Sequence, residues 1–150
     1  MKSATTFAIA CCIIAQSFSQ ASAADDRTFY VKIDNSTTIQ GRIIETDGLK
    51  FTTAFGEVTI PIEKIEAIKM SDEGDNSAVV AFVNGDMVSG KLDISELHLK
   101  TTWGKAHISA AAIDTISSRE FGSFYNDSSG GGWRYSKGTS QFDGAGSGTR

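Results

Sequence analysis

Two stretches of this sequence, Val31 to Ile68 and Val80 to Ile116, repeat one another with a single residue of slippage. Val31, Asn35, Gly41, Leu49, Thr53, Gly56, Ile60, Ile65 and Ile68 meet Val80, Asn84, Gly90, Leu97, Thr101, Gly104, Ile108, Ile113 and Ile116. A period of about 48 residues constrains the fold more than any single motif, because each copy has to build its unit from the same positions. The shared positions are apolar residues and turn glycines. They describe a core, and they leave ligand chemistry open.

Within each copy the apolar residues alternate as they do in half-buried strands. In the first, Thr37 to Ile44 carries Ile39, Gly41 and Ile43 on one face, and Leu49, Phe51 and Thr53 alternate with Lys50 and Thr52. Val58 and Ile60 follow, and Ile65 and Ile68 close the unit after a segment, Pro61 to Lys64, long enough for one 3₁₀ turn. The second copy gives Phe82, then Val88, Gly90 and Leu92, then Leu97 and Leu99, then Ala106 and Ile108, then Ile113 and Ile116. A hairpin tip at Phe55-Gly56 sets Phe51 opposite Ile60. A tip at Trp103-Gly104 sets Leu99 opposite Ile108 and Lys100 opposite His107. An even loop is required, since a slip of one residue would send each apolar set to solvent. Gly56 and Gly104 supply the positive φ that such turns need.

Residues 1–23 read as a signal peptide. Lys2 is the positive start, Phe7 to Phe18 the apolar run, and Ala21-Ser22-Ala23 a small-x-small cleavage site. Both cysteines, Cys11 and Cys12, lie inside it, so a chain from Ala24 has no thiol for a disulfide or a thiolate metal site. Removing Lys2 takes the formal charge from −4 to −5. That balance opposes nucleic-acid binding, which needs clustered Lys and Arg. No second apolar run is long enough to span a membrane after cleavage, and the expected location is periplasmic or secreted. The remaining roughly 125 residues suffice for one ordinary domain or two very small ones.

Five short strands with a helical turn before the last is the layout of small SH3-like or Sm-like barrels, and Thr38 to Leu49 resembles the strand-turn-strand core of Sm-like folds. There a glycine, here Gly41, lets a bent strand pass the barrel corner. The expected fold is therefore all-β: a tandem repeat of two small SH3/Sm-like five-stranded units, with a signal peptide before and a Gly/Ser-rich tail after. The divisions are 1–23, the signal peptide; 28–70, the first repeat; 71–77, an acidic linker; 78–118, the second repeat; and 119–150, a Gly/Ser/aromatic tail, largely disordered. One pseudo-symmetric barrel or sandwich built from both copies is the alternative. The segments Phe82 to Leu92, Leu97 to Gly104 and Phe51 to Pro61 resemble repeats that stand ahead of the barrel in DUF481-type salt-induced outer-membrane proteins. That resemblance, over about residues 29 to 117, implies a periplasmic module. The long alternating strands of an outer-membrane barrel do not follow it in this sequence.

No catalytic, cofactor or metal residue is assigned. There is no Gly-x-Ser-x-Gly elbow and no phosphate loop. His98 and His107 are expected diagonally on the outward face with no third ligand, and Glu63, Glu66 and Asp114 read as edge charges that discourage strand pairing. The candidate partner-binding residues are the tip aromatics Phe55 and Trp103 and the tail residues Trp133, Arg134 and Tyr135. The function expected is a non-enzymatic envelope adaptor that binds a protein partner through strand edges, hairpin tips or the tail. A self-assembling homo-oligomer and a glycan or peptidoglycan binder using Trp103, Trp133 and Tyr135 are the alternatives.

Overall fold

The computed structural model describes residues 27–34, 36–71, 75–127 and 132–138. The signal peptide reading and the end of the tail lie outside these residues. The chain is all-β. Its strands are β1 (Phe29–Ile33), β2 (Thr37–Ile43), β3 (Gly48–Thr53), β4 (Gly56–Pro61), β5 (Ile65–Met70), β6 (Ser77–Phe82), β7 (Met87–Leu92), β8 (Glu96–Thr101), β9 (Gly104–Ser109), β10 (Ile113–Ser117), β11 (Ser123–Asp127) and β12 (Gly132–Ser136). Single 3₁₀ turns, Ile62–Lys64 and Ala110–Ala112, precede β5 and β10. No helix among the described residues is long and apolar enough to cross a membrane.

Ten strands share one hydrogen-bonded order, β4-β3-β7-β6-β5-β10-β1-β2-β8-β9, open at β4 and β9. The two copies of the repeat are not kept apart in it. On one side of the β5–β10 junction, β3, β4 and β5 of the first copy take up β6 and β7 of the second. On the other side β8, β9 and β10 take up β1 and β2. Each five-strand set therefore draws two strands from one copy and three from the other. The junction is symmetric: Ile68 faces Ile116, flanked by Ala67↔Ser117 and Lys69↔Thr115. Those two isoleucines are the matching residues that end the two copies, so a pseudo-twofold axis passes between them.

Equivalent bonds recur around that axis. Ile44 N donates to His98 O at 3.0 Å and Asp93 N to Lys50 O at 2.9 Å. Ile62 N donates to Asp47 O at 3.1 Å and Ala110 N to Ser95 O at 2.9 Å. The connections β2→β3 and β7→β8 carry the exchange in opposite directions. Glycine permits the contact between copies. A Cβ at Gly41 would stand 2.8 Å from the Lys100 carbonyl oxygen, and one at Gly90 only 2.3 Å from that of Thr52.

One core runs through both sets, with Phe29, Val31, Phe51, Ile68, Val80, Leu92, Leu99 and Ile116 almost wholly buried. Because β5 and β10 are central, the acidic residues on them are not edge charges. Glu66 is 4 % exposed and accepts from Arg119 Nε at 3.0 Å. Asp114 accepts from Lys69 Nζ at 2.9 Å, with Lys32 Nζ 3.9 Å away.

The hairpins keep the expected parity with a register moved by one pair. Phe51 faces Val58, and Leu49 faces Ile60. Leu99 faces Ala106, Leu97 faces Ile108, and His98 faces His107 directly, while Lys100 faces Lys105. The loops are Ala54-Phe55 and Thr102-Trp103. Gly56 (φ +125) and Gly104 (φ +142) stand in the last pair rather than at the tip. Thr53 and Thr101 close the turns, each hydroxyl donating to the glycine carbonyl at 3.0 and 2.7 Å.

Candidate functional site

The five residues singled out in the sequence fall in three places. Phe55 (98 % exposed) and Trp103 (69 %) crown the two outermost hairpins, at opposite ends of the strand order. Both rings stand in solvent and neither folds back over the sheet. Trp133, Arg134 and Tyr135 lie on β12, which pairs with β11 to form a separate hairpin within the stretch read from composition as tail. That hairpin returns to the main sheet. Tyr135 Oη lies 2.7 Å from Ser117 Oγ on β10, and its ring packs against Phe124 at 5.0 Å between centroids. Burial raises the Tyr135 phenol above its ordinary pKa, against the opposing effect of the Ser117 hydrogen bond. Lys69 Nζ stands 5.5 Å above the Trp133 ring, a cation–π contact, and Arg134 Nε lies 3.6 Å from Asp127. Trp133 and Tyr135 thus anchor the hairpin to the sheet.

Beside β4 lies a cleft of about 590 Å³, lined by Val58, Ile60 and Pro61 with Phe82, Val83 and Val88 from the β6–β7 hairpin. Val58 and Val83 are partly exposed there, at 45 % and 38 %. β4 ends the ladder, so its outward backbone groups face solvent next to this apolar surface. Pro61 fits an edge strand, where a missing N–H facing solvent leaves no gap in the ladder.

A second grouping arises on the outer face of β8 and β9. Glu96 and His98 alternate along β8 onto one face, and His107 stands opposite His98 with ring centroids 4.3 Å apart, tilted by 48°. His98 Nδ1 donates to Glu45 Oε2 at 2.5 Å, while its Nε2 lies 3.5 Å from Glu96 Oε2. Lys105 Nζ reaches the other oxygen of Glu45 at 3.3 Å. The hydrogen bonds from His98 and then Lys105 hold the Glu45 carboxyl below its usual pKa, and the bond to Glu45 raises that of His98. One donor atom each from Glu96, His98 and His107 fall within 4.8 Å of one another.

The sequence placed both histidines on the right face. It missed their direct pairing because of the register, and it missed the two glutamates. Glu96 was legible in principle, being two residues before His98 on the same strand. Glu45 was not, because it lies in the β2→β3 connection and reaches His98 only through the exchange of strands.

No protein-family model, no curated protein and no solved structure matches this chain.

Proposed function

We propose that the protein is a non-enzymatic, exported interaction module of the bacterial cell envelope, and that it binds an extended segment of a partner protein along the β4 edge. The observation that carries this reading is the open edge of β4 beside the cleft of Val58, Ile60, Phe82, Val83 and Val88. Backbone groups of an edge strand supply affinity to an added strand, and an apolar cleft alongside supplies side-chain selectivity. Phe55 at the end of the same hairpin adds a fully accessible aromatic anchor. The likeness of both copies to repeats of outer-membrane proteins supports the envelope, and the two five-strand sets are read as SH3/Sm-like units completed by exchange.

A photo-crosslinking residue at Phe55, and separately at Trp133, tests this in native envelopes. Adducts from position 55 that vanish on Val58→Lys are expected. Adducts only from position 133, or none at either, would sink the reading. Pseudo-symmetry favours one second reading: β4 and β9 are equivalent open edges, so copies of the chain could join edge to edge. Light scattering would then show a species larger than a monomer that Val58→Lys dissolves.

A further inference from the structure

We infer that Glu96, His98 and His107 form a binding site for a divalent transition metal of the zinc class, with Glu45 as the residue that positions His98. The reading is independent of the β4 edge. It rests on the face of β8 and β9 at the far end of the sheet.

Three observations converge. The first is distance. In a tetrahedral site with bonds of about 2.05 Å, neighbouring donor atoms stand about 3.4 Å apart. His98 Nε2 and Glu96 Oε2 are 3.5 Å apart, and one donor atom from each of Glu96, His98 and His107 fall within 4.8 Å of one another. The His107 side chain is exposed, so rotation about its own bonds can close the remaining gap.

The second is orientation. A metal-binding imidazole uses one ring nitrogen for the metal and donates the other N–H to a carboxylate or carbonyl, which fixes the tautomer and raises basicity. Glu45 does this for His98: its carboxylate accepts the hydrogen bond from Nδ1, and Nε2, the nitrogen left for a metal, lies 3.5 Å from Glu96 Oε2. Its backbone holds φ +68, a conformation that L residues other than glycine, asparagine and aspartate seldom adopt. Lys105 steadies the second carboxylate oxygen, which occupies its ammonium at Glu45.

The third is the departure from internal symmetry. Glu96, His98 and His107 correspond in the first copy to Gly48, Lys50 and Thr59, which offer no comparable donor set. The residues that build the core are shared by both copies, while these three belong to one. A surface needed only to solvate the hairpin has no reason to gather two imidazoles and a carboxylate at facing positions.

Two imidazoles and one carboxylate suit zinc, copper or nickel and do not suit magnesium or calcium, which prefer cages of oxygen. Three protein ligands leave a fourth position open toward solvent, for water or for a donor from a bound partner. The metal would tie β8 to the edge strand β9 and, through Glu45, to the β2→β3 connection.

The test is zinc titrated into the purified protein, freed of metal by a chelator and carrying no polyhistidine tag. Binding is followed by calorimetry and by the ring proton signals of His98 and His107. One zinc per chain, perturbation of both rings and a raised thermal midpoint are expected. His98→Ala together with His107→Ala should abolish all three, and circular dichroism reports whether that variant keeps its fold. Glu45→Gln should weaken binding by about 10- to 100-fold without changing the stoichiometry, as loss of an orienting partner does. Four outcomes would overturn the site: no saturable binding, equal binding of magnesium, zinc retained by the double variant, or ring signals that do not move. Zinc held elsewhere would persist in the double variant and so count against it.

Discussion

Replacing Gly90 by alanine tests the exchange of strands between the copies. An added Cβ would lie 2.3 Å from the Thr52 carbonyl oxygen and 2.7 Å from Cε1 of Phe51, both on β3 of the other copy. Carbon–oxygen contacts settle at about 3.3–3.6 Å, so β3 must retreat by roughly 1 Å. Backbone cannot swing aside as a side chain can, and the pairs Phe51↔Leu92 and Thr52↔Lys91 are where the strain falls. Overpacking of this kind costs about 1–3 kcal/mol, and a broken ladder bond adds about 1. Glycine's own handicap in a strand returns about 0.5–1 kcal/mol. The net loss is about 1–3.5 kcal/mol, or about 5–15 °C in the thermal midpoint of a domain this size. Gly41→Ala, at 2.8 Å from Lys100 O, should cost less. The assay is thermal and urea unfolding together with amide hydrogen exchange. Protection in Gly90→Ala should fall across 49–53, and in Gly41→Ala across 97–101. If Gly90→Ala is as stable as the parent, or loosens 97–101 in its own copy, the exchanged pairing is wrong.

Arg119→Met should destabilise the fold by about 1–3 kcal/mol, because it strands the buried Glu66 carboxylate. Adding Glu66→Gln should recover part of that loss, and a double variant no better than Arg119→Met would contradict the argument. Tyr135 binds its phenolic proton more tightly in the folded chain than in the unfolded one. Its contribution is therefore complete below the ordinary phenol pKa of about 10 and is lost as pH rises through the higher folded value. Ultraviolet titration of the parent against Tyr135→Phe should show the missing phenol ionising late, and an ordinary midpoint would refute the burial.

How far the sequence could be read follows from what alternation encodes. The strands around Leu49, Phe51, Leu97 and Leu99 were legible because burial period is local, whereas Gly41, read as a barrel-corner glycine, makes room for the Lys100 carbonyl of the other copy. A register moved by one pair preserves parity, so the apolar faces came out right while Lys100 was set against His107 in place of Lys105. The partner strand was beyond reach for a deeper reason. Gly90 of one copy meets Thr52 of the other, yet Lys100, the residue matching Thr52, stands in its own copy with the same pattern around it. Pairing within a copy and pairing across copies bury the same residues, and periodicity cannot choose between them. The β11–β12 hairpin was obscured by the glycines and serines around it, although Phe124 and Tyr135 carry the contact that pins it.

The interleaved order also dictates when the chain can fold as it emerges from the ribosome or a translocation channel. β3, β4 and β5 follow β1 and β2, and their set lacks β6 and β7 until Leu92 has appeared. β1 and β2, the earliest strands made, must wait longest: β2 finds β8 only after about fifty further residues, and β1 finds β10 after more than seventy. For that interval β1 and β2 have only each other, through the pairs Phe29↔Gly41 to Ile33↔Thr37, and their outer edges stay open. Such delayed long-range pairing slows folding and leaves edges open to wrong partners. The set β3 to β7 is continuous in the chain and is complete once Leu92 has appeared, whereas β1 and β2 complete theirs only when β8 to β10 have been delivered.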